Sequence, residues 1–555
     1  MIADKPLLAA THSGSSGEEF KIIAVSSIAS VFEYFDFFLY GSLAVIISRN
    51  FFSSVNETSA FVLALLTFAA GFAVRPFGAI VFGFIGDLWG RKNTFLVALA
   101  LMGGATFAVG LLPTYRQIGA AAPWILVVLR MLQGLSVGGV YGGAAVYVAE
   151  HVPQRRRGFF TSWIQTTATV GMALSLMVIF AARTVIGEVD FDSWGWRVPF
   201  LLSSVLLAVT IAIQLRLSES PVYARMKASR TSSTRPWSDA FGNWRNLRLI
   251  VIALFGAMVG QAVIWYTAQF YVLFFLERVL KVDGPLTNIL MAVALVVSTP
   301  LYVVFGSLSD KIGRRPVILG ACLLAALSYS PLFKALTYAA NPALSRAIAM
   351  APLTVVADKR ECSFQFDPVG KAMFSSSCDI ARSFLARAGV SYETVAGPAG
   401  AVATLQGAGH TLESFRGDEM SPKELAAQRL GWEKKARALI SAAGYPIQAD
   451  SRSVNIPLVL VVLIAIMSLG AMVYGPMAAL LTEIFPAKVR YTSMSLPYHL
   501  AIGWCGGFVP TIAFAIVAAT GNMFSGLWYT IALSALTFVV GIFFLPETKN
   551  ADIMV

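Results

Sequence analysis

Apolar residues run in unbroken stretches of about twenty along most of this chain, long enough to cross a bilayer as helix. Twelve stretches stand out: 21–48, 58–85, 94–112, 123–149, 160–182, 196–216, 248–276, 287–307, 316–338, 455–484, 493–519 and 524–545. None shows the strict alternation of a barrel strand. The pattern predicts an all-α membrane protein of twelve transmembrane helices. One connection is unlike the rest: 341–453 holds 13 basic and 11 acidic residues in 113 positions. It reads as an inserted piece outside the membrane, with helical spacing from Lys423 to Ala443 and a Gly-, Ala- and Pro-rich loop at 396–409. The first stretch follows Glu18, Glu19 and Lys21 and has no small-residue cleavage pattern after it. It therefore reads as a retained helix, not a signal peptide.

Composition agrees: 57% apolar, 13% charged, mean hydropathy +0.70. Soluble chains carry about 25% charged residues, so a soluble enzyme is excluded. The net charge of +12 lies between apolar stretches, which makes it a topology signal and implies no nucleic-acid partner. The connections 86–93, 151–159, 216–248, 309–316 and 486–492 hold 17 Lys and Arg; the opposite short set holds 6. The positive-inside rule then puts both termini in the cytoplasm and 341–453 outside. The expected parts are cytoplasmic tails at 1–20 and 547–555, a six-helix bundle at 21–217, a cytoplasmic loop at 218–247, and a second bundle made of 248–340 and 454–546.

The two bundles are copies. Gly83-x-x-x-Asp87-x-x-Gly90-Arg91-Lys92 recurs 223 residues later as Gly306-x-x-x-Asp310-x-x-Gly313-Arg314-Arg315. Glu150-x-x-Pro153-x-x-x-Arg157 recurs after 333 residues as Glu483-x-x-Pro486-x-x-x-Arg490. The jump in offset measures an insertion of about 110 residues in the second copy. Parallel six-helix repeats are a transporter architecture, with the site between them near mid-membrane.

The duplicated loops resemble the signature of the major facilitator superfamily. Three further stretches resemble its metabolite:proton symporter family: Glu33-Tyr-Phe-Asp36-Phe-Phe-Leu-Tyr40-Gly41, Arg75-Pro76-Phe-Gly78, and Arg130-Met-Leu-Gln133-Gly134 running on to Gly138-Gly-Val140-Tyr141-Gly-Gly-Ala. Trp194-Gly-Trp196-Arg197-Val-Pro199-Phe fits as well. The resemblance covers the twelve spans and not 341–453. It implies import of organic acids or zwitterionic osmolytes with protons. Two positions depart from it: Leu88 stands where Arg or Lys is usual, and Val140 where relatives commonly have Glu, so proton coupling either rests on other residues or is absent.

Charged groups deep in a membrane are costly unless paired or facing water, and in transporters they mark the pathway. Glu33, Asp36 and Tyr40 share one face of the first span. Two acids so close in a low dielectric cannot both hold full charge cheaply. Asp36 or Glu33 is therefore the expected proton-coupling site, with Arg130 as internal partner. Arginine grips carboxylates bidentately, and Arg75 is the first choice for a substrate carboxylate. Arg197 either joins that site or caps its loop. Gln133, Tyr141, Tyr266, Gln269 and His499 complete the candidate substrate contacts.

Asp87, Arg91, Asp310, Arg314 and Arg315 read as gating charges where the bundles meet. Glu150 with Arg155–Arg157, and Glu483 with Arg490, read as equivalent clamps. Gly138, Gly139, Gly142 and Gly143 suit close packing. The chain has no Walker loop, no H-E-x-x-H and no supported nucleophile elbow. The favoured reading is a proton-driven symporter of a small organic acid anion, a monomer needing no cofactor. A zwitterion transporter and a transporter-derived sensor are the alternatives. Cys362 and Cys378 in the insert are the expected disulfide, against two reduced thiols. Alkylation followed by mass spectrometry without reduction should leave both unlabelled; labelling of both would sink the bridge.

Overall fold

A computed structural model describes residues 16–53, 57–215, 221–229, 236–363 and 374–553. Ten helices among them are long and apolar enough to cross a membrane, and twelve spans result if two sharply bent pairs are each counted as one. The first span bends by 61° between Ser30–Ser42 and Ala44–Phe51; the sixth bends by 65° between Glu188–Gly195 and Arg197–Ile213. The seventh span, Trp244–Val279, is unusual: Leu254–Met258, Thr267–Tyr271 and Phe275–Val279 are wound as π-turns. Such turns often mark functional positions.

The end of the molecule carrying the duplicated loops is called here the basic face, and the opposite end the insert face. Each duplicated loop turns on a glycine with positive φ, 103° at Gly90 and 110° at Gly313. Side chains other than glycine are strained there, which accounts for the second glycine of the repeated motif. Lipid offers no hydrophobic drive between helices, so close contact through small residues takes its place. Gly134 of the fourth span lies directly against the Gly71 carbonyl of the second, and Gly138 packs on Gly78 and Ala79. Across the two bundles, Gly158 of the fifth span meets Gly306 of the eighth.

The segment between the ninth and tenth spans departs from the all-α expectation. It is a small α+β unit with strands β1 (Leu353–Ala357), β2 (Tyr392–Ala396), β3 (Thr404–Gly407) and β4 (His410–Glu413). The sheet order is β2-β1-β3-β4, with β1 and β2 parallel and the other pairs antiparallel. The helix Ser377–Ala388 crosses from β1 to β2, and Pro422–Ala442 follows β4. So the 396–409 stretch expected as loop holds β3; four residues are too few for a periodic signal. Cys362 and Cys378 are disulfide-bonded, with Cα atoms 5.2 Å apart. A loop of that size stabilises by about 3 kcal/mol through the unfolded chain.

Every described hydrogen bond from this unit to the spans goes to the second bundle. Asn341 Nδ2 donates to the Leu280 carbonyl (2.9 Å), and the Ala449 N–H to that of Lys281 (3.0 Å). Arg382 donates to the Ala519 carbonyl, and the Tyr392 N–H to that of Gly521. A Gly134→Ala change puts a methyl group into the Gly71 carbonyl and should cost about 1–3 kcal/mol. Thermal unfolding of detergent-purified protein reads this against Gly104→Ala, where a Cβ meets nothing within 4 Å. Equal melting of the two variants would contradict the packing role.

Candidate functional site

A narrow cavity lies inside the first bundle, lined by Glu33, Asp36, Phe37, Phe68, Gly71, Phe72, Arg75, Arg130, Gln133, Gly134 and Val137. It gathers five of the predicted site residues. Asp36 is held from three sides: Thr106 Oγ1 donates to it at 2.8 Å, Gln133 Nε2 at 3.2 Å, and Arg130 Nη1 stands 3.7 Å away. Arg130 also donates to Gln133 Oε1 at 2.6 Å and lies over the Tyr40 ring at 3.7 Å. This is the internal partnership expected for Arg130. Tyr40 itself donates to the Ala64 carbonyl, so it is a wall behind Arg130 and not a cavity residue.

Glu33 and Arg75 are different. Among the described residues neither makes a hydrogen bond or a close ion pair, although each stands in the other's field. The Arg75 guanidinium rests on aromatic faces, 4.5 Å from the Phe72 centroid and 5.8 Å from that of Phe37. Rings bind cations in this way. The cavity amounts to about 30 Å³, room for a water or two, so a larger solute needs the site to open. Toward the insert face it is roofed by Phe37 and Phe38, whose centroids lie 5.9 and 6.1 Å from Phe270 of the seventh span.

The remaining expected contacts surround this cavity without lining it. Tyr266 stacks on Phe270. Gln269 reaches Tyr302. Tyr141 accepts from Gln165 and stacks on Tyr498 at 3.7 Å. His499 and Gln261 are fully buried; neither polar atom of the Gln261 side chain has a hydrogen-bond partner among the described residues, and the His499 imidazole lies against the Gly138 backbone. Arg197 does not join the site: it donates to the Gly110 and Leu112 carbonyls at 3.0 and 2.6 Å, capping the end of the third span. Thr106 escaped the sequence reading because a lone Thr in a span usually bonds back within its own helix, and the Met102 carbonyl at 2.9 Å is here the competing acceptor. Phe37, Phe68 and Phe72 escaped because phenylalanine is ordinary in lipid.

At the basic face the two bundles exchange charges. Asp87, closing the second span, accepts from the Thr492 N–H (3.1 Å) and hydroxyl (2.6 Å) at the start of the eleventh. Asp310, its repeat, accepts from the N–H groups of Gly158 (2.8 Å) and Phe159 (2.7 Å) at the start of the fifth. Helix N-termini favour such anions. The clamps are crossed: Glu483 pairs with Arg157 at 2.9 Å and Glu150 with Arg490 at 2.6 Å. The expected pairing within each copy is thus replaced by pairing between copies, because the pseudo-two-fold brings each glutamate to the other repeat's arginine. Arg314, fully buried, ties Asp310 (2.6 Å) to Glu483 (3.1 Å). Arg315 turns away, to the Ile542 carbonyl and Glu547 of its own bundle. The side chain of Arg91 lies outside the described residues.

The C-terminal segment seals this layer from below. Thr548 donates to Glu483 at 2.8 Å, Arg490 to the Ile553 carbonyl at 2.7 Å, and Gln154 to that of Ala551 at 3.1 Å. Among the described residues these bonds join the two bundles at the basic face through that segment.

Residues 26–356 match the family model described as Major Facilitator Superfamily, and 437–554 match the one described as Sugar (and other) transporter. The chain is 33% identical over 322 residues to the proline/betaine transporter of Salmonella typhimurium, covering 56% of this chain and 63% of that protein. It is 36% identical over 305 residues to a putative proline/betaine transporter of Staphylococcus aureus, covering 54% and 64%. The matches therefore span less than two thirds of these relatives. Among solved structures it is similar to the proton:xylose symporter XylE bound to 6-bromo-6-deoxy-D-glucose, with TM-score 0.62, 16% identity, and coverage of 97% and 98%. The inward-open form of the E. coli xylose transporter XylE fits less well, with TM-score 0.52, 15% identity, and coverage of 96% and 97%. At these identities the likeness speaks to fold alone.

Asp310→Asn removes charge from the Arg314 contact and from a helix N-terminus. A loss of about 1–3 kcal/mol should shift the closed–open balance at the basic face by roughly 5- to 150-fold. Spin labels at Arg155 and Lys311 should then show a longer-distance population; an unchanged distance distribution with altered solute preference would refute the gating role.

Proposed function

This chain belongs to the Major Facilitator Superfamily, and we propose that it is a secondary active transporter importing a small zwitterion, of the betaine or proline kind, together with a proton. The charge balance of the cavity carries this reading. Two carboxylates, Glu33 and Asp36, face two guanidiniums, Arg75 and Arg130, inside a wall of phenylalanines. A zwitterion adds no net charge of its own, so only the accompanying proton alters that balance. A di- or tricarboxylate, the expectation from the arginines alone, leaves an excess of negative charge in a low dielectric and is the weaker reading. The names of the relatives support the same choice.

The geometry suggests how the ends are told apart. A solute carboxylate draws Arg75 off Phe72 and Phe37, because a bidentate charge-assisted pair is stronger than a ring contact. The bared ring faces then receive the ammonium, which leaves Glu33 free to take the proton. Asp36 is already committed to Thr106, Gln133 and Arg130, so Glu33 is the better proton carrier and Asp36 its fixed neighbour. The proton enters from the insert face and leaves at the basic face, which by charge is the cytoplasmic one. Both termini are cytoplasmic in this reading, the inserted unit is extracytoplasmic, and a monomer works without a cofactor. A sensor built on the same body would bind the solute without accumulating it.

Purified protein should melt at a higher temperature with glycine betaine or proline and not with citrate, since a specific ligand stabilises by mass action. Stabilisation by citrate alone would restore the anion reading. In proteoliposomes, Glu33→Gln should abolish proton-driven uptake and spare solute counterflow; equal loss of both would remove Glu33 from coupling. Vesicles of the parent protein that move none of these solutes by either route would end the transporter proposal.

A further inference from the structure

Between the cavity and the charged layer of the basic face lies a group of phenols from both bundles. Tyr34 of the first span meets Tyr474 of the tenth, oxygen to oxygen, at 3.4 Å. Tyr474 in turn bonds Tyr498 of the eleventh span at 2.5 Å. Tyr498 stacks flat on Tyr141 of the fourth span, centroids 3.7 Å apart and planes 5° from parallel. Tyr141, Tyr474 and Tyr498 are all buried. The contacts Tyr34–Tyr474 and Tyr141–Tyr498 both cross from one bundle to the other.

We propose that these four tyrosines form a second, uncharged gate directly beneath the solute cavity, with Tyr474 at its centre. Tyr474, Tyr498 and Tyr141 each precede or follow a residue of the charged layer (Glu483, Arg490, Glu150) by about two helical turns on the same span, roughly 12–14 Å of axial rise. The two barriers therefore stand in series. They also differ in kind. Opening the charged layer exposes or strands buried ions, whose loss of partners is costly. Opening the phenol layer breaks one or two hydrogen bonds and separates two rings, a small change that a solute's own binding can offset. Tyr34 adjoins Glu33 in the chain, so the layer begins beside the proposed proton carrier and senses the cavity first.

This inference rests on the transporter reading, but its test needs no transport. In full-length protein with Cys322 and Cys505 replaced by Ser, the cavity residue Val137→Cys is labelled by an impermeant maleimide from the basic face, in inside-out vesicles. Glu483→Gln alone should leave this labelling slow. Adding Tyr474→Phe, or Tyr498→Phe should the first fail to fold, should speed it roughly fivefold or more, as loss of a net hydrogen bond between states implies. Fast labelling with Glu483→Gln alone, or no gain from either phenylalanine, would overturn the second gate. Inert parent vesicles in an uptake assay would sink the transporter reading and leave this measurement standing.

Discussion

The structure depends on an exchange of charge across the seam between two copies of the same bundle. Each copy ends its second helix in an aspartate that settles on the opening turn of a helix in the other, and each sends a glutamate to the other's arginine. Lipid gives two apolar bundles no hydrophobic drive to associate, so at this face ion pairs and hydrogen bonds join the close Gly158–Gly306 contact in holding them together. Buried ion pairs contribute little net stability but are costly to break singly. Such a seam is therefore all-or-none: it holds as a set and releases as a set. That property suits a machine with discrete states better than a graded apolar contact would.

The cavity obeys the same logic at smaller scale. Asp36 is saturated with partners while Glu33, three residues away, keeps none within reach among the described residues. One acid is bonded on three sides and the other on none among the described residues, although they occupy one face of one helix. The aromatic wall sharpens the difference, because it shields the site from water and offers ring faces to whichever cation is present. In the closed form that cation is Arg75.

Much of this was legible in the sequence. Span number and order follow from the length of apolar runs, and the duplicated motifs located both the seam and the insertion. Arg130 was readable as the partner of Asp36 because both lie too deep to reach water. Other features were not readable. The crossed pairing of Glu150 and Glu483 is a product of the pseudo-two-fold, which no local pattern encodes. The bends at the first and sixth spans interrupt otherwise continuous apolar runs. The sheet of the insert is made of strands of four and five residues, shorter than a periodicity needs. Arg197 looked like a site residue because charge at a helix end and charge at a cavity mouth are spelled alike.

The insert, finally, is fastened by Asn341, Arg382, Tyr392 and Ala449 to the second bundle, and no described bond ties it to the first. It is therefore an asymmetric handle. A force applied to it, or a neighbour leaning on it, is carried first into one half of the molecule, so the two otherwise similar lobes become mechanically distinguishable.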